Sequence, residues 1–287
     1  MNYQDFKKYQ LTINKQALRL DELNPYLLIP TFSERISVLP NKHSANEGFY
    51  IKKSTGVRQL LKELLKHFSE LGYQINLPDD VYPEYFNLVP QGSNVMRYRS
   101  YAEKEFSFFK DKLSVSLITN PIIPEGRYLT DTELDKLDRW LLENKENWII
   151  FDNVYDYQLK SLDFEFKSKR IVFINSLAKI NLKPQTFGWS LCKTKLPGFN
   201  TGDKITFDHK LSLHIQQKYS EAWSALEQKL NLSRQFNWSP PQVGYLSIVE
   251  KNFHSLLREF NIAAIPITIF GGTRDDHSVI SCLSEII

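Results

Sequence analysis

Three short apolar runs in the middle of the chain each end on polar groups. Residues 113–118 (LSVSLI) lead into Thr119-Asn120-Pro121, 148–151 (WIIF) into Asp152, and 171–174 (IVFI) towards Ser176, with Lys179 three residues further on. They offer an amide, a carboxylate and a hydroxyl with an amine. In an open α/β sheet the ligand crevice lies outside the carboxyl ends of the strands, so groups far apart in sequence converge there. An amine and a carboxylate that share such a crevice can hold and move protons. Each residue also has an ordinary use: Asn before Pro makes turns, Asp after a strand caps, and a loop Lys is solvated. Their convergence is what marks a site.

Convergence requires parallel strands, and the order of elements predicts them. The three runs are continuously apolar, as in strands covered on both faces. Between the first two, the Pro-rich stretch 121–126 stops the strand. Thr130, three residues before Glu133, then opens a helix through a capping box, with Leu134, Leu137 and Leu141 on one face as far as about residue 147. Upstream, Thr55-Gly56 precedes an amphipathic helix over 57–71, carrying Leu60, Leu61, Leu64, Leu65 and Phe68, and a strand at 75–77 that meets Pro78. Beyond about residue 195 the pattern changes to a helix over 211–230, Pro240-Pro241, a helix over 243–260, a strand over 265–270, and a strand or edge at 279–283. This order predicts an α/β fold, with a mostly parallel sheet and helices on both faces in a large domain over 46–200. A smaller α+β domain is expected from 1–45 together with 201–287.

In sequence order, Asn-Pro-x-x-Pro-x-Gly (Asn120, Pro121, Pro124, Gly126), Asp-x-x-Tyr (Asp152, Tyr155) and Ser-x-x-Lys (Ser176, Lys179) resemble a known family. The family is the fold-type I, pyridoxal-phosphate-dependent aminotransferases of class I and II, the aspartate aminotransferase-like enzymes. The intervals between these motifs are also similar to that family's. Thr55-Gly56 resembles its phosphate-cradling turn, and 78–85 (PDDVYPEY) resembles a segment carrying two of its tyrosines. The likeness spans about residues 50–195 and weakens towards the end of a chain that is short for the family.

The resemblance implies roles for single residues. Lys179 would form the Schiff base with the cofactor aldehyde and later shuttle the proton at the substrate Cα. Asp152 would face the pyridine nitrogen and keep it protonated, so that the ring accepts electrons. Asn120 and Tyr155 would lie near the ring O3′, and Tyr82 would stack on the ring. The backbone amides of Gly56 and Val57, at a helix N-terminus, would hold the phosphate together with the Ser176 hydroxyl. Two positions depart from the pattern. Thr186 stands where the family commonly has an arginine at the phosphate, leaving Arg58 as a candidate replacement. Val279 stands where an arginine clamps the substrate carboxylate. Arg97, Arg99, Trp189 and Arg274 are candidate substrate contacts.

Composition narrows the alternatives. With 36 basic and 33 acidic residues the net charge is only +3, and the basic residues are scattered, so no nucleic-acid partner is expected. No apolar stretch approaches the ~20 residues needed to span a bilayer, and the polar start MNYQDFKKYQ has no signal-peptide core. Neither a GxGxxG, a P-loop, a GxSxG nor an HExxH motif is present. The six histidines and two cysteines offer no metal set; Asp208, His209 and His214 read as solvated polar residues. Taken with this, the resemblance implies a cytoplasmic, homodimeric aminotransferase with pyridoxal 5′-phosphate and a small-molecule amino donor and acceptor, without metal, nucleic acid or membrane. The alternatives are a pyridoxal-phosphate lyase, decarboxylase, hydroxylase or other Cα chemistry in a specialised biosynthetic pathway, or a catalytically degenerate binding or assembly subunit.

Overall fold

A computed structural model describes residues 1–23, 48–100, 106, 108, 113–176, 179, 188–201 and 209–286, with side chains of the last stretch from 213 onward. Thr186, Asp208 and the side chain of His209 lie outside the described residues. From the N-terminus the chain forms α1 (Tyr3–Thr12), β1 (Leu18–Arg19), β2 (Tyr50–Ser54), α2 (Val57–Glu70), β3 (Gln74–Pro78), the short α3 (Tyr85–Leu88) and β4 (Val95–Tyr98). It continues with β5 (Ser114–Thr119), α4 (Asp131–Glu143), β6 (Trp148–Asp152), β7 (Ile171–Ser176) and β8 (Gly188–Cys192). The last third holds α5 (His209–Leu230), α6 (Leu232–Phe236), β9 (Leu246–Val249), α7 (Phe253–Phe260), β10 (Ile262–Ala263), β11 (Ile265–Pro266) and β12 (Ser278–Ser281).

Seven strands form one sheet in the order β2-β8-β7-β6-β5-β3-β4. The neighbours from β7 to β4 are parallel, whereas β8 is antiparallel to both β7 and β2. Every residue of β5, β6 and β7 is buried, which is why their sequences are apolar without alternation. The register pairs Thr119 with Asp152, and Asp152 with Ile174, so the three strands finish side by side. Crossover from β5 to β6 runs through α4, whose N-terminus carries the expected capping box of Thr130 and Glu133; such a cap is worth ~1 kcal/mol. Helix α2 buries Leu60, Leu61, Leu64, Leu65 and Phe68, five of the residues that form the core around the sheet.

The C-terminal third departs from its sequence reading. The stretch expected as one helix over 243–260 is instead β9 followed by α7. Gly244, at φ +84°, cannot continue a helix, Leu246–Val249 pairs with β12, and α7 starts only after Asn252, whose side chain accepts from the His254 N–H. The strand expected over 265–270 is confined to β11, because the chain turns into a 3₁₀ helix (Ile267–Phe270) that ends at Gly271. The edge expected at 279–283 is β12, followed by a second such turn at Leu283–Glu285. A second core gathers Phe6, Leu20 and residues from Ile215 to Leu283, and Ile123 and Tyr157 from the middle of the chain pack into it. No described helix is long and apolar enough to cross a membrane.

Two glycines permit close approaches that frame the site. A Cβ on Gly188, at the start of β8, would lie 2.7 Å from the backbone carbon of Gly56, so the sheet touches the N-terminus of α2. Gly271, at φ +89°, packs so tightly on the backbone of Asp79 that no side chain fits there. Next to it, Arg99 pairs with Asp79 at 3.0 Å and donates to the Gly271 carbonyl at 3.3 Å.

Gly188→Ala is expected to destabilise the fold by ~1–3 kcal/mol, the range for overpacking a closely packed position. Urea unfolding checks this, and a wild-type midpoint would show that α2 can retreat from the sheet without loss.

Candidate active site

A cavity of about 670 Å³ opens where β5, β6 and β7 end. The strand ends contribute Thr119, Asp152 and Ser176 to its wall, and the start of α2 contributes Gly56, Val57 and Arg58. Tyr82 and Tyr85 come from the segment after β3, Tyr155 and Lys179 from the loops after β6 and β7, and Phe270 from the C-terminal third. Parallel strands produce this gathering directly, since every one of them delivers its last residues to the same edge.

Asp152 is buried, and that burial raises its carboxyl above the usual carboxylate range. Three groups pull it back down: the Tyr85 phenol donates to Oδ2 at 2.7 Å, the Val154 backbone N–H donates to Oδ1 at 3.1 Å, and the charge of Lys179 is near. The Tyr85 phenol is itself pushed well above the ordinary tyrosine range, first by burial and then by the adjacent carboxylate. In the register neighbour of Asp152, Thr119, Oγ1 is buried without a hydrogen-bond partner among the described residues.

Lys179 sits among phenols. Its Nζ is 3.5 Å from the Tyr245 hydroxyl and 5.2 Å from the centre of the Tyr155 ring, and the two tyrosine hydroxyls are 3.1 Å apart. Tyr245 is buried, and its hydroxyl donates to the Leu23 carbonyl at 3.1 Å. On the opposite side, α2 starts after Gly56, which has no side chain to cap the helix, and Gly56, Val57 and Arg58 at this uncapped start line the cavity. Arg58 in the first turn donates to the Tyr82 hydroxyl at 2.6 Å, and the Tyr82 and Tyr85 rings meet edge to face at 5.1 Å.

Neither a known sequence family nor a curated protein matches the chain. Solved structures do match, and over nearly its whole length. Aspartate aminotransferase from Thermotoga maritima is 16% identical with a TM-score of 0.63, over 99% of this chain and 93% of that one. Aromatic aminotransferase from Pyrococcus horikoshii is 13% identical with a TM-score of 0.63, over 98% and 95%. A C-S lyase from Staphylococcus hominis is 12% identical with a TM-score of 0.63, over 98% and 80%. The chain has the fold of the fold-type I pyridoxal-phosphate enzymes.

Within this pyridoxal-enzyme fold, Lys179, Asp152, Tyr155, Tyr82, Ser176, Gly56 and Val57, all singled out from sequence, line the one cavity. Asn120 does not. One N–H of its Nδ2 donates to Ser161 Oγ at 3.0 Å and its Oδ1 accepts from the Leu129 N–H at 2.9 Å, and these two bonds tie the amide to neighbouring loops. Alternation explains this, because Thr119 and Asn120 are adjacent and point to opposite sides. Arg97 lies over the Phe86 ring, Arg99 pairs with Asp79, and Arg274 pairs with Asp276. Val279 is buried in β12, paired with Ile265 and Ile248. Sequence reasoning gave no role to Tyr85, Thr119 or Tyr245. Thr119 could have been found as the strand-end residue facing the same way as Asp152, whereas Tyr245 was hidden by reading 243–260 as helix.

The raised carboxyl gives a signed pH dependence. Its folded pKa exceeds the unfolded value of about 3.9, so the unfavourable contribution of the buried anion is absent below the unfolded pKa and complete above the folded one. Asp152→Asn is therefore expected to stabilise the cofactor-free protein progressively as pH rises from about 4 towards 8, as read by urea midpoints. A difference between the two proteins that stays flat with pH would mean that the carboxyl is not held in this environment.

Proposed function

We propose that the protein is a pyridoxal-phosphate-dependent aminotransferase acting on an amino acid or amine, with the cofactor attached at Lys179. The observation that carries this reading is the presence of the Lys179 amine and the buried Asp152 carboxylate in one cavity that also receives the uncapped start of α2. Three further features fit the cofactor: a volume in the range of small-molecule sites, the orphaned Thr119 hydroxyl, and the close Gly188–Gly56 approach that sets the helix start against the sheet.

When bound, pyridoxal phosphate supplies an aldehyde that captures an amine and a ring that accepts the electron pair released at Cα. The protein's own groups do the rest. Asp152, whose donors favour the anion, would accept from a protonated pyridine nitrogen. Lys179 would hold the cofactor through its aldehyde and would carry the proton at the substrate Cα. Tyr155 supplies a phenol beside that amine, Tyr82 would offer a ring face, and the N–H groups of Gly56 and Val57 would hold the phosphate with the Ser176 hydroxyl. Arg58 adds the positive charge there. This reading includes a homodimer in the cytoplasm, with a cofactor-binding unit over 46–200 and a smaller one from 1–45 and 201–287.

A second reading, a lyase, decarboxylase or related Cα reaction, is favoured by two observations. Val279, where the family's carboxylate clamp is expected, is fully buried in β12, and C-S lyases share the fold. A panel of amino donors with a 2-oxo acid acceptor separates the two, since an aminotransferase forms new amino acid from the acceptor and a lyase does not.

Purified protein is expected to be yellow. Borohydride reduction followed by peptide mapping should fix the label on Lys179, and Lys179→Ala should abolish turnover while leaving the unfolding midpoint near wild type. A label on another lysine overturns the assignment. Arg58→Ala is expected to weaken pyridoxal phosphate binding about 10- to 100-fold by equilibrium dialysis, the loss of one charge-assisted bond. Unchanged retention would move the phosphate anchor elsewhere.

A further inference from the structure

The contact between Tyr85 and Asp152 goes beyond the roles given so far. The Tyr85 hydroxyl donates to Asp152 Oδ2 at 2.7 Å, the sole side-chain donor there among the described residues.

 

Tyr85 opens α3, far from Asp152 in sequence, and both side chains are buried. Oδ1 takes the Val154 N–H, so the two protein donors occupy one lone pair on each oxygen. A carboxylate has about four such sites, which leaves room for a further donor from the cavity.

We propose that Tyr85 is a positioning residue of this site, whose phenol holds the Asp152 carboxylate as an anion, in one orientation, for a protonated pyridine nitrogen. This rests on the pyridoxal-phosphate reading. The charged and titratable groups around the pair are few. Lys179 faces Asp152, while Tyr82 and Tyr98 face Tyr85. Lys179 also favours the anion, but its amine is the group that the reaction engages, so its charge is not constant through turnover. The Tyr85 donor does not take part in that chemistry. Its ring also braces Tyr82, edge to face at 5.1 Å, so one side chain supports both the carboxylate and the stacking ring.

The test compares wild type, Tyr85→Phe, Asp152→Asn and the double variant, first without cofactor. Removing the donor raises the carboxyl's folded pKa further above its unfolded value, so the destabilisation by Tyr85→Phe is expected to grow as pH rises from about 4.5 to 8.5. In the Asp152→Asn background that growth should vanish. A role in packing alone gives the same destabilisation at every pH in both backgrounds, and that result overturns the proposal. The second measurement is pyridoxal phosphate affinity by equilibrium dialysis at pH 8. Tyr85→Phe is expected to weaken it about tenfold, the loss of one bond to a charged group, and to have no further effect once Asp152 is Asn. Unchanged affinity in Tyr85→Phe also overturns it. If wild type binds no cofactor, the reading beneath falls and takes this role with it. Normal wild-type binding with a pH-independent destabilisation instead rejects the role of Tyr85 alone.

Discussion

A carboxylate taken out of water at the end of a central strand must find its hydrogen bonds within the protein, because an unpaired buried charge is far more unfavourable than a satisfied one. Asp152 meets this requirement with partners from three places: the Val154 N–H just beyond its own strand, the Tyr85 phenol from the segment after β3, and the nearby charge of Lys179 after β7. The Val154 contact is local, but Tyr85 and Lys179 come from the ends of other strands and reach Asp152 because those strands deliver their ends to the same edge. The parallel order β7-β6-β5-β3 thus supplies two of the three partners of this buried charge.

Much of this was legible in the sequence where a local pattern decides local structure. The leucine stripe of α2, the capping box at Thr130 and the three apolar runs each carry their own instructions, and they appear where expected. Strand β8 was not legible, because Gly188–Cys192 becomes a strand only by inserting antiparallel between β7 and β2. The run around Leu246 fits either a helix or a strand, and its pairing with β12 settles the matter. In both cases the deciding contact is distant in sequence.

The candidate site divides in the same way. Motif spacing picked out residues at strand ends, but not the direction in which each side chain faces. Asn120 sits in the most recognisable motif of the chain, yet its amide joins Leu129 and Ser161 in holding the loop after β5. The residue before it, which belongs to no motif, faces the cavity. Tyr85 was visible in its segment, but its partner depends on β5 and β6 lying beside β3 in the sheet.

The tight seat of Gly271 on Asp79 has a mechanical meaning. Asp79 begins the segment that carries Tyr82 and Tyr85, and Arg99 fastens it both to the sheet and to the Gly271 carbonyl. Backbone against backbone leaves no compressible side chain between them. Any shift of the C-terminal third towards the sheet would therefore be passed to that segment as a rigid push, and the two tyrosine rings would move with the lever and not independently of it.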